Sequence, residues 1–381
     1  LAQGRLRLLP LPRPAAMTSY EPLVGGLRLG GLVEVFGLSK QEEAALAQPV
    51  NGELGQVIGY TGGDENRFSV HLANGVSGHF SPKNVRAVLS SKKPGEGGSP
   101  HSFDLLLAPR TEAGAIGQEM SRCMLEKGFC VLKHSQNCKE AVDGTVKMLR
   151  EAATNGNLAR FPEECEAGYL GKGCKGKVAW MDYDNAELAC EETLVRCDRN
   201  LSFLAQVFQP YSDDLMDDYV DERTSALICL SLTGEEEPEY PFPEPDDATL
   251  GVFLQTWRRT LVRAIHFLGP GTAKIELTAR EGSKAPLLPH IQRSISLKAA
   301  PNTILLYRAD TYDYKCEAPE ETLMLIANFL SRGQKYEVLS VEGNTSWLQR
   351  DGPPPPGDRG LHVVNTTVRL PAGMDSDLAY D

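Results

Sequence analysis

The sequence predicts an α+β protein, mainly β with supporting helices, arranged as a small all-β unit followed by a larger mixed one. Three stretches carry this expectation. Between Leu27 and Leu89, short alternating apolar segments follow one another closely, joined at Asn51-Gly52 and Asn74-Gly75, pairs that tolerate the positive φ of tight hairpins. Over Glu119–Glu126 and again over Lys139–Ala153 the apolar spacing turns helical. Between Pro301 and Leu330, two runs, Thr303–Tyr307 and Thr322–Phe329, have the aliphatic and β-branched content of buried strands.

The chain has 381 residues, enough for two or three domains and a substantial core. No apolar run approaches the length of a membrane span. Nine cysteines, at 123, 130, 138, 165, 174, 190, 197, 229 and 316, show no Cys-x-x-Cys spacing. An odd count without metal spacing predicts free thiols in a reducing compartment, intracellular, in cytoplasm or plastid. The net charge of −12 opposes non-specific binding to nucleic acid or to an anionic membrane. That charge is concentrated between Ser212 and Asp247, where thirteen acids face the single base Arg223. The pattern predicts a solvated helix face (Asp213, Asp214, Asp217, Asp218, Asp221) and then an acidic loop. The alternating ligands and central glycine of a calcium-binding loop are not present there.

Residues 1–24 are set aside as a disordered, targeting or upstream segment. Their opening LAQGRLRLLPLPRPAA precedes the first methionine and is broken by Pro10, Pro12 and Pro14. Residues 25–90 form the small unit. Leu32–Phe36 alternates, then Gly55–Tyr60, Arg67–Leu72 and Val76–Phe80, and Ser81-Pro82-Lys83-Asn84-Val85 closes it. The Gly52-x-x-Gly55-x-Val57 turn, the Arg67-Phe68 strand and Pro82-x-Asn84-Val85 resemble SH3-like modules. The resemblance implies a small barrel and leaves its ligand open. Acids outnumber bases in this unit, which weighs against nucleic acid, and His71 and His79 are expected as ordinary strand residues. Residues 91–110, beginning with a Gly, Ser, Pro and Lys-rich stretch, are expected to be a linker.

From Thr111 a second unit opens with a helix over Glu119–Glu126, a buried strand at Phe129–Leu132 and an amphipathic helix over Lys139–Ala153. Gly171 to Lys177 imitates a phosphate-binding loop. However, Val178 stands where a hydroxyl should follow, and Val178–Met181 has the composition of a strand rather than a helix. Lys172, Lys175 and Lys177 stay open as candidate contacts for phosphate or carboxylate. Asp182–Tyr219 is expected to be mostly helical, with Leu194, Leu201, Leu204 and Phe208 in the core. Strands are expected at Thr224–Leu232, Leu261–Leu268 and Gly269–Leu277.

This order, with the Pro301–Leu330 stretch at its end, resembles the double-stranded β-helix, or jelly roll, of prolyl-hydroxylase-type oxygenases over residues 111–335. The resemblance implies Fe(II) and 2-oxoglutarate, a His-x-Asp or His-x-Glu after the Thr224–Leu232 strand, a second histidine and a basic residue for the co-substrate. Two imidazoles and one carboxylate would hold the iron and leave positions open. The sequence instead continues GEEEPEYPFPEPDDATLG. Tyr314 falls near the second histidine and Thr322 or Leu323 near the basic residue. The expectation is a degenerate, non-catalytic domain that holds no cofactor. The alternative is an active oxygenase with atypical ligands, combining His266 or His290 with carboxylates between Glu239 and Asp247, Glu244 and Asp246 among them. His266 is otherwise a core strand residue.

Residues 336–360 are expected to be a Pro-rich linker, stiff at Asp351–Gly360. Residues 361–381, LHVVNTTVRLPAGMDSDLAYD, are similar to the opening of β-ketoacyl synthase domains of modular polyketide synthases, with Ala372 and Val364-Asn365 departing from the pattern. The resemblance implies the N-terminal fragment of a polyketide synthase-like protein. The oxygenase-like unit would then be a scaffold or docking region for protein partners or a downstream ketosynthase, with no nucleic acid or membrane involved.

Overall fold

The computed structural model describes residues 5–7, 23–46, 48–62, 66–88, 103–109, 111–134, 139–181, 186–280, 293–333, 337–343 and 364–369. Strand β1 (Arg5–Arg7) is an edge strand whose partner lies far along the chain. The small unit follows as β2 (Leu32–Val35), helix α1 (Lys40–Ala45), β3 (Leu54–Thr61), β4 (Arg67–Leu72), β5 (Ser77–Phe80) and β6 (Val85–Ala87). Its five strands form one antiparallel sheet in the order β5-β4-β3-β2-β6. The sheet closes over its own core of Val35, Val57, Phe68, Val70 and Leu72, all fully buried, each contributing roughly 1.5–3 kcal/mol. Ser39 starts α1 with a capping box, its hydroxyl accepting from the Glu42 amide while Glu42 reaches back to the Ser39 amide. His71 and His79 bond Ser77 and Ser69 on neighbouring strands, as strand residues should.

The second unit begins earlier than expected. Strand β7 (Leu105–Leu107) lies within the anticipated 91–110 linker, yet it is buried and pairs parallel with β8 (Phe129–His134). Its LLL composition is what a core strand needs, and a neighbouring polar stretch conceals it. Helix α2 (Ala113–Lys127) lies between them, then α3 (Lys139–Thr154), α4 (Glu163–Leu170), β9 (Gly176–Trp180), α5 (Ala186–Ala189), α6 (Glu192–Met216), β10 (Glu222–Thr224) and β11 (Leu227–Ser231). The chain continues through α7 (Asp247–Arg259), β12 (Thr260–Gly269), β13 (Ala273–Ala279), β14 (Ser294–Ala299), β15 (Thr303–Arg308), β16 (Tyr312–Glu317) and β17 (Leu323–Leu330).

From β11 onward the strands divide between two facing sheets. The larger contains β11-β17-β12-β15, and β15 continues into β8 and β7; the smaller is β14-β13-β16. This is a double-stranded β-helix, the jelly-roll architecture in an α+β chain. A full jelly roll has eight strands, and one is replaced here. The interval between β11 and β12 holds a short 3-10 turn (Glu237–Glu239) and the helix α7. On the exposed edge of β16, a bridge from Lys172 to Lys315 takes the place of strand pairing.

The smaller sheet alternates buried and solvent-facing residues along β13 and β14, as a sheet with one wet face does. The larger sheet is buried on both faces. Inward residues such as Cys229, Ile265, Phe267, Leu305, Met324 and Ile326 meet the smaller sheet, and outward residues such as Ile228, Ala264, Leu306, Leu325 and Phe329 meet α2, α3 and α6. The two units touch through Gln56. Its side-chain amide donates to the Gly30 carbonyl (3.1 Å), and its oxygen accepts from the Thr111 hydroxyl (3.0 Å). Gly30, at φ +76°, allows this approach, since a Cβ there would lie 3.0 Å from Ala115.

Three further expectations change. β1, within the segment set aside, pairs antiparallel with β10. β18 (Glu337–Gly343), inside the anticipated Pro-rich linker, pairs with β19 (Val364–Arg369), inside the ketosynthase-like stretch. The acidic region also holds more structure than a loop: α6 ends at Met216 with Asp217 in the left-handed region, and α7 starts from an Asp246 cap. Among the described residues, no helix is long and apolar enough to cross a membrane.

Candidate functional site

The interior of the barrel is where the fold would present a metal, and its inward registers define what could bind one. Tyr312, Tyr314 and Cys316 point inward from β16, Cys229 from β11, and Met324 and Ile326 from β17. Tyr314, expected near a histidine position, is buried and stacks on Tyr307 at 5.4 Å between ring centres, 16° apart. Burial and the adjacent Cys316 thiol push its phenol well above the usual range. The Cys174 thiol is raised by its hydrogen bond with Cys229 and by burial, so it stays protonated. Neutral thiols and phenols do not match the two imidazoles and carboxylate that Fe(II) needs. Among the described residues, no histidine lies on an inward register.

Local sequence explains this filling. Helix α4 ends at Gly171, whose φ of +94° turns the chain so that Lys172 bridges to β16 and Cys174 enters the interior. Only glycine fits, because a Cβ at 171 would lie 2.2 Å from the Tyr314 ring. Two of the three lysines of this turn, left open as phosphate ligands, are engaged. Lys175 pairs with Glu237 at 2.6 Å and the buried Lys177 with Glu236 at 2.7 Å. The Lys175 hydrogen bond also holds the Glu237 carboxyl below the usual carboxylate range. Arg160 stacks on Phe242, 3.7 Å from the ring centre, and pairs with Glu166 at 2.7 Å. The acidic stretch that follows β11 is thus pinned onto a basic turn.

The basic-residue position fails by orientation as well as by type. Leu323 faces the helices rather than the interior. Thr322 is buried, donates its amide to Ser231 Oγ at 2.7 Å, and has an unpartnered hydroxyl. The atypical ligand set expected under the alternative is not brought together. His266 lies on the outward register of β12, between Ala264 and Leu268, both of which join the helix-side core. Burial lowers its imidazole to about 3, with help from His134 and Arg196, and neither ring nitrogen has a partner. Glu244 and Asp246 are exposed. Asp246 is spent on the α7 N-cap, accepting from the Thr249 amide and hydroxyl at 2.8 Å each. His290 lies outside the described residues.

Among the described residues one other group has metal-ligand geometry, the buried Asp104, Cys123 and Cys130. Lys127 Nζ already sits 2.7 Å from both Asp104 oxygens, and burial pushes the Cys130 thiol well up. The carboxylate charge is compensated by Lys127 and the Cys130 thiol is protonated, so this is a buried ion pair with sulfur neighbours. A cleft of about 250 Å³ lies nearby between the small unit and α2, lined by Leu27, Val88, Arg28, Glu119, Arg122 and Glu126. Its charges are mutually paired, Arg122 bonding Glu119 at 2.7 Å and Glu126 at 2.8 Å.

One inward polar residue was not singled out from the sequence. Arg263 on β12 alternates with Ile265 and Phe267, lies opposite Tyr307 on one side and Asn328 on the other, and is 8 % exposed. Its Nε donates to Asn328 Oδ1 at 3.0 Å. The signal was visible: a lone arginine inside the apolar run LVRAIHFL.

Solved structures with a similar fold include a prolyl hydroxylase from Trichoplax adhaerens, in complex with a hypoxia inducible factor oxygen degradation domain peptide. It is 13% identical, with 57% of this chain and 90% of that chain covered and a TM-score of 0.39. A Pseudomonas putida prolyl-4-hydroxylase is also 13% identical, covering 58% of this chain and 100% of that one, with a TM-score of 0.33. The non-heme α-ketoglutarate-dependent epimerase SnoN from nogalamycin biosynthesis is 10% identical, covering 63% and 92%, with a TM-score of 0.34. No protein-family model and no curated protein matches the sequence.

Proposed function

We propose that the second unit is an oxygenase-fold domain that performs no iron chemistry and serves as a scaffold or docking region for protein partners. One observation carries this reading. The inward registers of the barrel offer phenols, thiols and aliphatic groups in place of imidazole and carboxylate. Fe(II) held by such donors would be bound weakly, and neither Thr322 nor Leu323 can pair with a 2-oxoglutarate carboxylate. The ion pairs from Lys175 and Lys177 to the Glu236-Glu237 segment fit a structural role, since they fix the stretch that would otherwise carry metal ligands.

The ketosynthase-like sequence at 361–381 supports placing this scaffold ahead of a ketosynthase in a polyketide synthase-like protein. The SH3-like pattern of the small unit supports a protein partner for it. Anaerobic titration with Fe(II) and 2-oxoglutarate tests the central reading. No charge-transfer absorbance is expected, and its appearance would restore the alternative of an active dioxygenase. Reading the coding sequence beyond Asp381 tests the assembly-line setting, which requires a ketosynthase-type active-site cysteine further on.

A further inference from the structure

Three thiols from three separate segments meet at the seam between the two sheets. The turn from Lys172 to Lys175 is fastened to both. At one end the Lys172 amide donates to the Tyr314 carbonyl at 3.1 Å, and the Lys172 carbonyl accepts from the Cys316 amide at 3.0 Å, which holds the turn against β16 of the smaller sheet. At the other end the Lys175 carbonyl accepts from the Leu232 amide at 3.0 Å and Gly176 opposes Ser231, which holds it against β11 of the larger sheet. Cys174 lies between these anchors, and its thiol shares hydrogen bonds with Cys229 on β11 and Cys316 on β16. Across the ladder from Cys229 stands Met324 on β17, so a thioether joins the group. All four side chains are buried. Gly176 leaves room for the Cys229 sulfur, since a Cβ there would come within 2.4 Å of it. Thiols donate and accept hydrogen bonds weakly, so this convergence contributes little as hydrogen bonding. As a donor set it is distinctive: sulfur without imidazole or carboxylate is what soft metal ions select.

We propose that Cys174, Cys229, Cys316 and Met324 form a site for a soft monovalent metal ion, copper(I), which ties the two sheets together where the basic turn crosses them. Cys174 supplies the thiolate: as the ion enters, the thiol proton leaves to solvent and a sulfur–copper bond replaces the S–H bond. Copper(I) stays copper(I), so nothing is oxidised or reduced. One positive and one negative charge cancel, and the remaining sulfurs add neutral thiol and thioether contacts, so the apolar interior gains no net charge. Zinc would ask for four donors and a second compensating thiolate. A metal–thiolate bond of about 2.3 Å lets one ion bridge sulfurs that are already hydrogen-bonded, so the site needs no separate cavity. Entry is short, because Gly173 and Lys175, on either side of Cys174, are exposed. The Cys123 and Cys130 group differs, since Lys127 already neutralises the Asp104 carboxylate beside it.

The test uses the full chain, reduced and under anaerobic conditions, with copper(I) supplied as its acetonitrile complex and bathocuproine disulfonate as the competing chelator. Iron and 2-oxoglutarate are left out, so the outcome is independent of the non-catalytic reading. The chain is expected to retain one copper(I) against the chelator, and X-ray absorption should show a shell of sulfur alone at about 2.3 Å. Cys174→Ser should weaken retention by about a hundredfold or more, and Met324→Leu, which keeps the volume, by about tenfold. Cys123→Ser and Cys190→Ser, away from the site, should leave it unchanged. If the Cys174 variant does not fold, Met324→Leu and the absorption spectrum of the unaltered chain still decide. Loss of all copper to the chelator overturns the proposal. So does undiminished retention by a folded Cys174→Ser or Met324→Leu variant, a shell containing nitrogen or oxygen, or loss of the ion in Cys123→Ser instead.

Discussion

Two buried arginines on the same sheet make an instructive pair. Arg223, on β10, is fully enclosed and fully employed. Its Nη2 reaches Asp198 at 2.6 Å and Ser202 at 2.7 Å, Nη1 donates to the Thr224 carbonyl at 2.7 Å, and Nε bonds Ser202 at 3.1 Å. It ties α6 to the edge of the sheet. Arg263 is nearly as buried but has only neutral partners, the Asn328 amide oxygen at 3.0 Å and the Tyr307 phenol. The first arrangement is what a structural cation requires, since desolvation is offset only when every donor is met. The second is held by neutral groups and without an ion pair. Burial alone does not say how firmly a cation is tied into the fold; the accounting of its partners does.

Four measurements bear on that contrast, in decreasing order of expected effect. Lys127→Met should be the most severe, because Asp104, with a side chain 0% exposed, would be left as an uncompensated charge. A loss of about 4 kcal/mol is expected in denaturant unfolding, the usual scale for breaking a buried pair. Arg223→Met should cost about 3 kcal/mol, somewhat less because Asp198, 20% exposed, can turn to water. If Arg223→Met is nearly neutral, the claim that its completed network anchors α6 is wrong.

His266 supplies the third. Its folded-state value of about 3 lies below the unfolded value near 6.5, so below pH 6.5 the unfolded chain takes up a proton that the folded chain refuses. Its contribution is therefore intact above pH 6.5 and lost as pH falls toward 3, by roughly 1.4 kcal/mol per pH unit. His266→Leu, which keeps the outward register apolar, should flatten the acid limb of stability between pH 6 and 4, as read by thermal melts. Arg263→Met gives the smallest effect. It should change unfolding free energy by no more than about 1 kcal/mol, in the stabilising direction if anything, because no ion pair is broken. A large destabilisation would place Arg263 with Arg223 as a structural cation.

Much of the architecture was legible in the residues. The hairpin pairs Asn51-Gly52 and Asn74-Gly75 and the alternation of Arg67–Leu72 marked the small sheet, because one face of each strand is wet or half-wet and the period of two survives. β7 was missed because three leucines beside a linker composition show no period at all. α7 was missed because its start, Pro245-Asp246-Asp247, continues an acidic stretch, and only the cap that Asp246 provides to Thr249 marks a beginning. Tyr314, expected near a second histidine's position, faces the interior, whereas Leu323, expected with Thr322 near the basic residue's position, faces the helices.

The sequence by itself determined most of the strands of both units and how they alternate with helices. What only the tertiary structure decided was facing. Strands β15 and β17 are buried along their whole length, TILLYR and LMLIANFL, so their apolar runs contain no alternation from which a face could be read. A shift of one residue exchanges the two faces. That is why His266, one position from an inward residue, belongs with the helices, and why Arg263, hidden in the same run, points into the barrel.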